Sequence, residues 1–325
     1  MKIAIVGPGG NTTIPPKGWG AVEILIYDSA QSLRKAGHDV TIINDSAPSS
    51  MVASLNNQSF DIVHIHYDDR IDIAGHINCP NIVITNHYAY IEQPTVWATP
   101  GSPQHGWSGI FSAIARSKVD IACLSPGIAA VYQAAGVNND RLHIIKNGVR
   151  NDLFNFTRDP QRSGESIYLA KIDYRKRQHV FQNIDGLCFA GNHADERFRI
   201  ENPRYLGEWQ KDKLYNELTN FANLVLLSDG EAHPLVCMEA MAAGLGLVLS
   251  ETATANLDLS LPFIDVIPEK DITNIELVSN VIRKNRLKSL QHRDRIREYA
   301  VTFSWDNVVN DVYVPMYSSI INLKR

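Results

Sequence analysis

The sequence predicts an α/β protein made of two Rossmann-like halves, and three observations carry that expectation. Apolar runs of strand length alternate with helical periodicity along most of the chain, the pattern of a mostly parallel sheet. A βαβ unit is legible at the start, and a second α/β series begins at Ser166 after a polar stretch. With 325 residues, 44% of them apolar, the chain can bury two cores of ordinary size.

Lys2–Val6 is expected as the first strand, stopped by Gly7-Pro8-Gly9-Gly10 too early for a signal peptide. A helix is expected from about Gly20 to Ala36, with Val22, Leu25, Ile26, Ala30 and Leu33 at helical spacing and Gly37 ending it. Asp39–Ile43 then returns as a strand. The glycines of this unit do not make G-x-G-x-x-G, which ranks a dinucleotide-dependent dehydrogenase low. Further strands are expected over 61–66, 81–85, 119–124 and 142–145. His64 and His66 share a strand face but have no third ligand nearby, so they read as structural. His87 falls just past a strand end, where α/β sites collect. From Tyr88 to Trp107 periodicity is lost. Tyr88, Tyr90, Trp97, His105 and Trp107, with Pro94, Pro100 and Pro103, fit a sugar-facing loop and a packed surface loop equally well.

Residues 150–166 have the polar composition of a linker that can hinge, with Pro160 and Gly164 inside it. The strand Ser166–Ala170 then runs into Lys171-Ile172-Asp173-Tyr174-Arg175-Lys176-Arg177, four cations within seven residues. The sharpest signal follows. Asn223–Ser228 reads as a buried strand and Gly246–Ser250 as another, with a helix over Leu235–Ala243 between them. Pro234 suits the first helical position and Gly244 a left-handed stop. The N–H groups of such a helix face the crevice at the strand's carboxyl end and attract anions. Glu231 before the helix and Glu239 on it offer acceptors for hydroxyl groups. A sugar attached to a phosphate satisfies both features, whereas the plainer alternative is an acidic pair solvating a helix start.

Glu231 and Glu239 stand at the E-x₇-E spacing and are followed by Ala-Met-Ala-Ala-Gly, which resembles the signature of the retaining GT-B glycosyltransferases of family 4 (glycosyl transferases group 1). Gly18-Trp19-Gly20-Ala21-Val22-Glu23 resembles that family's Y-G-G-x-E turn, and Asn147-Gly148-Val149 its N-G-V-D. Lys171 and Lys176 match the arginine and lysine of its G-R-x-x-x-x-K-G, and Phe303-Ser304-Trp305 its closing F-S-W. The resemblance implies an α/β GT-B fold, two Rossmann-like domains facing a cleft: an acceptor domain over 1–152, a donor domain over 165–302, and a C-terminal helix over 303–325 packing across the junction. Pro315 should kink or interrupt that helix.

The same resemblance implies retaining transfer of a sugar from a nucleotide-diphosphate sugar, UDP favoured over GDP, to a carbohydrate, lipid-linked or small-molecule acceptor. Lys171 and Lys176 would hold the diphosphate, Glu239 the ribose and Glu231 the sugar hydroxyls. The backbone at Leu235, beside His233 and Pro234, would meet sugar or phosphate. Leu206 would border the base and ribose, Gly20 would approach a phosphate, and His87 would orient the sugar. No metal or cofactor is implied. As a cleft lysine, Lys176 should matter little for folding. The competing function is a nucleotide-sugar-binding protein without turnover.

A net charge of −4 offers no basic face for nucleic acid. No run reaches the roughly 18 to 20 apolar residues of a membrane span, so a soluble protein, or one peripheral to a membrane, is expected. Cys79, Cys123, Cys188 and Cys237 lack C-x-x-C spacing and read as reduced thiols of a cytoplasmic protein.

Overall fold

The computed structural model describes residues 1–17, 20–102 and 104–323. Gly18 and Trp19 of the expected turn, and Pro103 of the long loop, lie outside the described residues. The chain divides into two compact units, Met1–Gly148 joined by the segment that starts at Trp305, and Val149–Ser304. No helix among the described residues is long and apolar enough to cross a membrane.

The first unit is a six-stranded parallel sheet in the order β2-β1-β3-β4-β5-β6. Its strands are β1 Lys2–Val6, β2 Asp39–Ile43, β3 Ile62–Ile65, β4 Ile82–Thr85, β5 Asp120–Cys123 and β6 Leu142–Ile144. Helices α1 Ala21–Lys35, α2 Pro48–Asn56, α3 Ile71–Ala74, α4 Pro94–Trp97, α5 Trp107–Arg116 and α6 Pro126–Ala134 connect them. Ile3 to Val6 are wholly buried because helices cover both faces of a parallel sheet. Leu25, Ile26, Ala30 and Leu33 form the buried stripe of α1, and Gly37 ends it at φ +87°.

The closing helix belongs to this unit. It runs as α12 Trp305–Val308, a π-helical turn Val309–Tyr313, and α13 Val314–Leu323. The expected break at Pro315 is therefore a widened turn. Proline cannot donate to the carbonyl four residues back and its ring crowds that carbonyl, and a π turn just before it relieves both conflicts. Tyr317 Oη lies 2.7 Å from His64 Nδ1 in β3, and Asp306 accepts from Ser32 of α1 at 2.9 Å.

The second unit is a five-stranded parallel sheet in the order β11-β10-β9-β7-β8. Its strands are β7 Arg162–Leu169, β8 Leu187–Ala190, β9 Phe221–Leu226, β10 Gly246–Ser250 and β11 Ile264–Ile267, and its helices α7 Gln178–Phe181, α8 Lys211–Glu217, α9 Leu235–Ala242, α10 Ile275–Gln291 and α11 Arg293–Val301. β7 starts four residues before the expected Ser166. Its pairing with β9 slips between Arg162 and Ser166, where Gly164 lets polar residues enter the strand through an irregularity. The stretch read as a linker is tied down as well. Phe154 is buried edge-on to Tyr215, and Asn155 N–H donates to the Tyr215 carbonyl at 2.9 Å.

Arg293 is the main polar tie of this core. At 2% exposure it donates to the carbonyls of Thr157, Phe221, Thr219 and Ala243 at 2.7–3.1 Å. The last of these caps α9, which ends at Gly244 in the left-handed region, φ +86°. Replacing Arg293 with alanine leaves several buried carbonyls without a donor, each a loss of about 1–3 kcal/mol. Urea unfolding of Arg293→Ala should show the second unit destabilised by about 3 kcal/mol or more.

Candidate functional site

In open α/β sheets, ligands bind beyond the carboxyl ends of the strands at the point where strand order reverses. In the second unit that point lies between β7 and β9, and the two segments singled out by the sequence meet there. After β7 comes the cationic loop, with a short 3₁₀ turn Tyr174–Lys176 capped by the Asp173 carboxylate, which accepts from Lys176 N–H at 3.0 Å. After β9 come Ser228 to Pro234 and then α9. The loops are stapled together: Asp229 N–H donates to the Arg175 carbonyl at 3.0 Å, and Tyr168 Oη takes the Leu227 N–H at 2.9 Å while donating to the Lys176 carbonyl.

Glu231 is the centre of this staple. Its Oε1 forms an ion pair with Lys176 Nζ, accepts from Ser228 Oγ at 2.7 Å and lies 3.2 Å from Arg175 Nη1. Burial alone raises a carboxyl pKa, but the charges of Lys176 and Arg175 and the bonds from Lys176 and Ser228 outweigh it, so Glu231 is held below the usual range and ionised. Lys176 is only 8% exposed. That corrects the expectation of a cleft lysine dispensable for folding, because removing one partner of a buried pair strands the other. Arg175 softens the loss by remaining beside Glu231.

The remaining expected donor-side residues gather on the same edge. Lys171 is exposed, and its carbonyl is held by Gln178 Nε2 at 2.8 Å. Pro234 is the residue before α9, with ψ 117°, rather than its first helical residue. Leu235 and Glu239 are half-buried on α9, and buried His233 packs its ring 6.1 Å from Phe303. Leu206 N–H donates to the Phe189 carbonyl at the end of β8, 2.8 Å away. Next to it Gly191, φ +150°, has no room for a side chain: a Cβ there would lie 1.9 Å from the Ala170 carbonyl, so the ends of β7 and β8 approach as closely as backbones can. Arg177 turns away to Glu269, with contacts of 2.5 and 3.1 Å. Arg175, read in the sequence only as one of four cations, and Ser228, read only as the end of a strand, both reach Glu231.

In the first unit, order reverses between β1 and β3. Gly20 precedes α1 there, and Tyr67 Oη donates to Glu23 at 2.6 Å. His87, beyond β4, lies with Nε2 3.4 Å from His66 Nδ1, and the His66 and His64 ring centroids are 4.0 Å apart. His64 also contacts Thr85 Oγ1 at 2.6 Å. The rings of the long loop face one another: Tyr88 stacks on Trp107 at 4.0 Å, and Trp97 meets Trp107 edge-on. Among the described residues no three His, Cys, Asp or Glu side chains are grouped to hold a metal ion. Asp68 lies just beyond β3, where burial pushes its carboxyl up to about 7 against the hydrogen bonds from Trp107 and the His87 backbone.

All three histidines stay neutral near pH 7. Burial pushes His64 down to about 3, helped by His87; His87 goes to about 4 through burial; His66 falls well below its ordinary value for the same reason. A folded-state pKa below the unfolded value gives stability that is fully present above about 6.5 and is lost as pH falls towards the folded value. Asp68, with a raised pKa, acts with the opposite sign. Between pH 6.5 and 4.5 His64 alone should withdraw roughly 2 kcal/mol. Urea unfolding at the two pH values should therefore show a smaller difference in His64→Gln than in the wild type.

Two parallel sheets of six and five strands, flanked by helices, make this the fold of the GT-B glycosyltransferases. Solved structures similar to it include a sucrose-phosphate synthase from Thermosynechococcus elongatus, with a TM-score of 0.77, 16% identity, and 99% of each chain covered. HepE of Anabaena in complex with UDP-glucose has a TM-score of 0.72 and 13% identity, covering 98% of this chain and 100% of that one. The lipopolysaccharide outer core galactosyltransferase WaaB has a TM-score of 0.69 and 14% identity, with 100% of both chains covered. No protein-family model matches the sequence, and no curated protein does.

Proposed function

We propose that the protein is a retaining glycosyltransferase of family 4 type that moves a sugar from a nucleotide-diphosphate sugar, UDP in preference to GDP, to a hydroxyl acceptor. The observation that carries this reading is the convergence of the Lys171–Arg177 loop and the Glu231–Glu239 segment on one switch point. UDP complexes of HepE support the choice of base. The second unit takes the donor and the first the acceptor.

The anomeric C–O bond to phosphate breaks and its electron pair goes to the departing diphosphate. The acceptor oxygen bonds to the same carbon on the same face, and its proton passes to a leaving phosphate oxygen. Lys171, Lys176 and the α9 N–H groups that begin at Leu235 meet the growing negative charge, and groups already aimed at that charge favour the transition state over the bound donor. Pro234 has no N–H to contribute. Glu239 holds the ribose, Glu231 the sugar hydroxyls, and Leu206 borders the base. His233 shapes the approach to α9, Gly20 lets backbone near a phosphate, and His87 orients the sugar. The lysines stand in for a divalent ion.

Two measurements test this. Lys176→Ala should lower kcat by about 10² to 10³. Glu231→Gln combined with it separates the loss of charge stabilisation from the stranding of a buried carboxylate, and undiminished turnover in both variants, or a product of inverted configuration, would sink the scheme. Transfer should also persist in EDTA. Activity abolished by the chelator and restored by manganese would show that the lysines do not suffice, while tight UDP binding with no nucleotide release under any acceptor would identify a binding protein.

A further inference from the structure

The carboxyl edge of the first unit's sheet carries polar groups with no task in donor binding. His66 is 1% exposed and its Nε2 has no hydrogen-bond partner. Asp68 Oδ1 is also buried and unpartnered, while Oδ2 accepts from Trp107 Nε1 at 3.3 Å. Tyr67 between them is extended, φ −125° and ψ 126°, so the two side chains leave the chain on the same side. Buried polar atoms are seldom left unmatched without a functional reason. A neutral imidazole and a carboxyl complement a hydroxyl, which can donate to one and accept from the other.

Carboxylates lie along the same edge. Ser125 caps α6 by accepting from Ile128 N–H at 2.9 Å and donates in turn to the Glu92 carboxylate. A Cβ on Gly127 would come within 2.3 Å of Glu92 Oε2. The chain's own carboxylate thus lies against the first turn of α6, the position that otherwise welcomes a ligand's anion. Glu23 is bound to Tyr67, and Arg70 is held by Asp69 at 2.8 Å.

We propose that this edge takes an uncharged polyhydroxy acceptor, with Asp68 and His66 holding one of its hydroxyls and Glu92 closing the α6 start to phosphate and carboxylate groups. The inference rests on the glycosyltransferase reading and adds to it the chemical class of the acceptor. A phosphorylated acceptor would meet carboxylates here, with Arg70 already engaged.

The test uses the full chain with UDP-glucose, following nucleotide release to water and then diversion of the sugar to paired probes: glucose against glucose 6-phosphate, and glycerol against glycerol 3-phosphate. The uncharged member of each pair should be used at least tenfold more efficiently by kcat/KM. In the Asp68→Asn/Glu92→Gln double variant that ratio should fall at least tenfold, with a cooperative urea transition showing that the variant is folded. Equal or preferred use of the charged probes, use of neither while hydrolysis continues, or an unchanged ratio in the variant would overturn the proposal. A wild-type protein that neither binds UDP by calorimetry nor releases it would instead overturn the donor reading on which the proposal stands.

Discussion

The ionised carboxylate of Glu231 is the constraint on which the second unit's site depends. It lies between two cations and a serine hydroxyl, and each of those groups comes from a loop that must be fixed for the others to be placed. Burial opposes the charge and the neighbours restore it, so the geometry is costly to disturb from any side. The same carboxylate joins a loop after β7 to one after β9, elements 55 residues apart in sequence. A ligand phosphate drawn to Lys176 would compete directly with Glu231 for that cation.

The first unit solves the opposite problem. Its corresponding edge keeps its three histidines uncharged by burial. Three histidines in contact cannot all carry protons, and burial makes even one charge expensive. The second unit's edge is thus organised by fixed charges, and the first unit's histidine cluster by neutral hydrogen-bonding groups.

Much of this was legible in the sequence wherever a local pattern carried the information. β1, β2 and β10 coincide with apolar runs because a buried parallel strand needs little else and a glycine lies at or near one end of each. Glu231 and Lys176 were marked by the motifs they resemble, and His87 by its place just past a strand end. What was hidden depends on pairing across long separations. The start of β7 escaped notice because polar residues pair through an irregularity that has no local signature. The burial of Lys176 follows from its partner, not from its own neighbours in sequence. Nothing local in the sequence marks Asp68, and only the packing of Trp107 shows one oxygen enclosed.

The widened turn at Val309–Tyr313 also adjusts helical phase. Residues in a π turn advance by a smaller angle than in an α-helix, so the buried positions before it, Trp305 and Val308, and after it, Tyr313, Tyr317 and Ile320, fall along one stripe instead of drifting around the axis. The same residues wound as an ordinary α-helix would rotate everything downstream by roughly 90° and carry the Tyr317 hydroxyl off His64. The contact between that hydroxyl and the histidine of the sheet thus depends on the wider turn in the last helix.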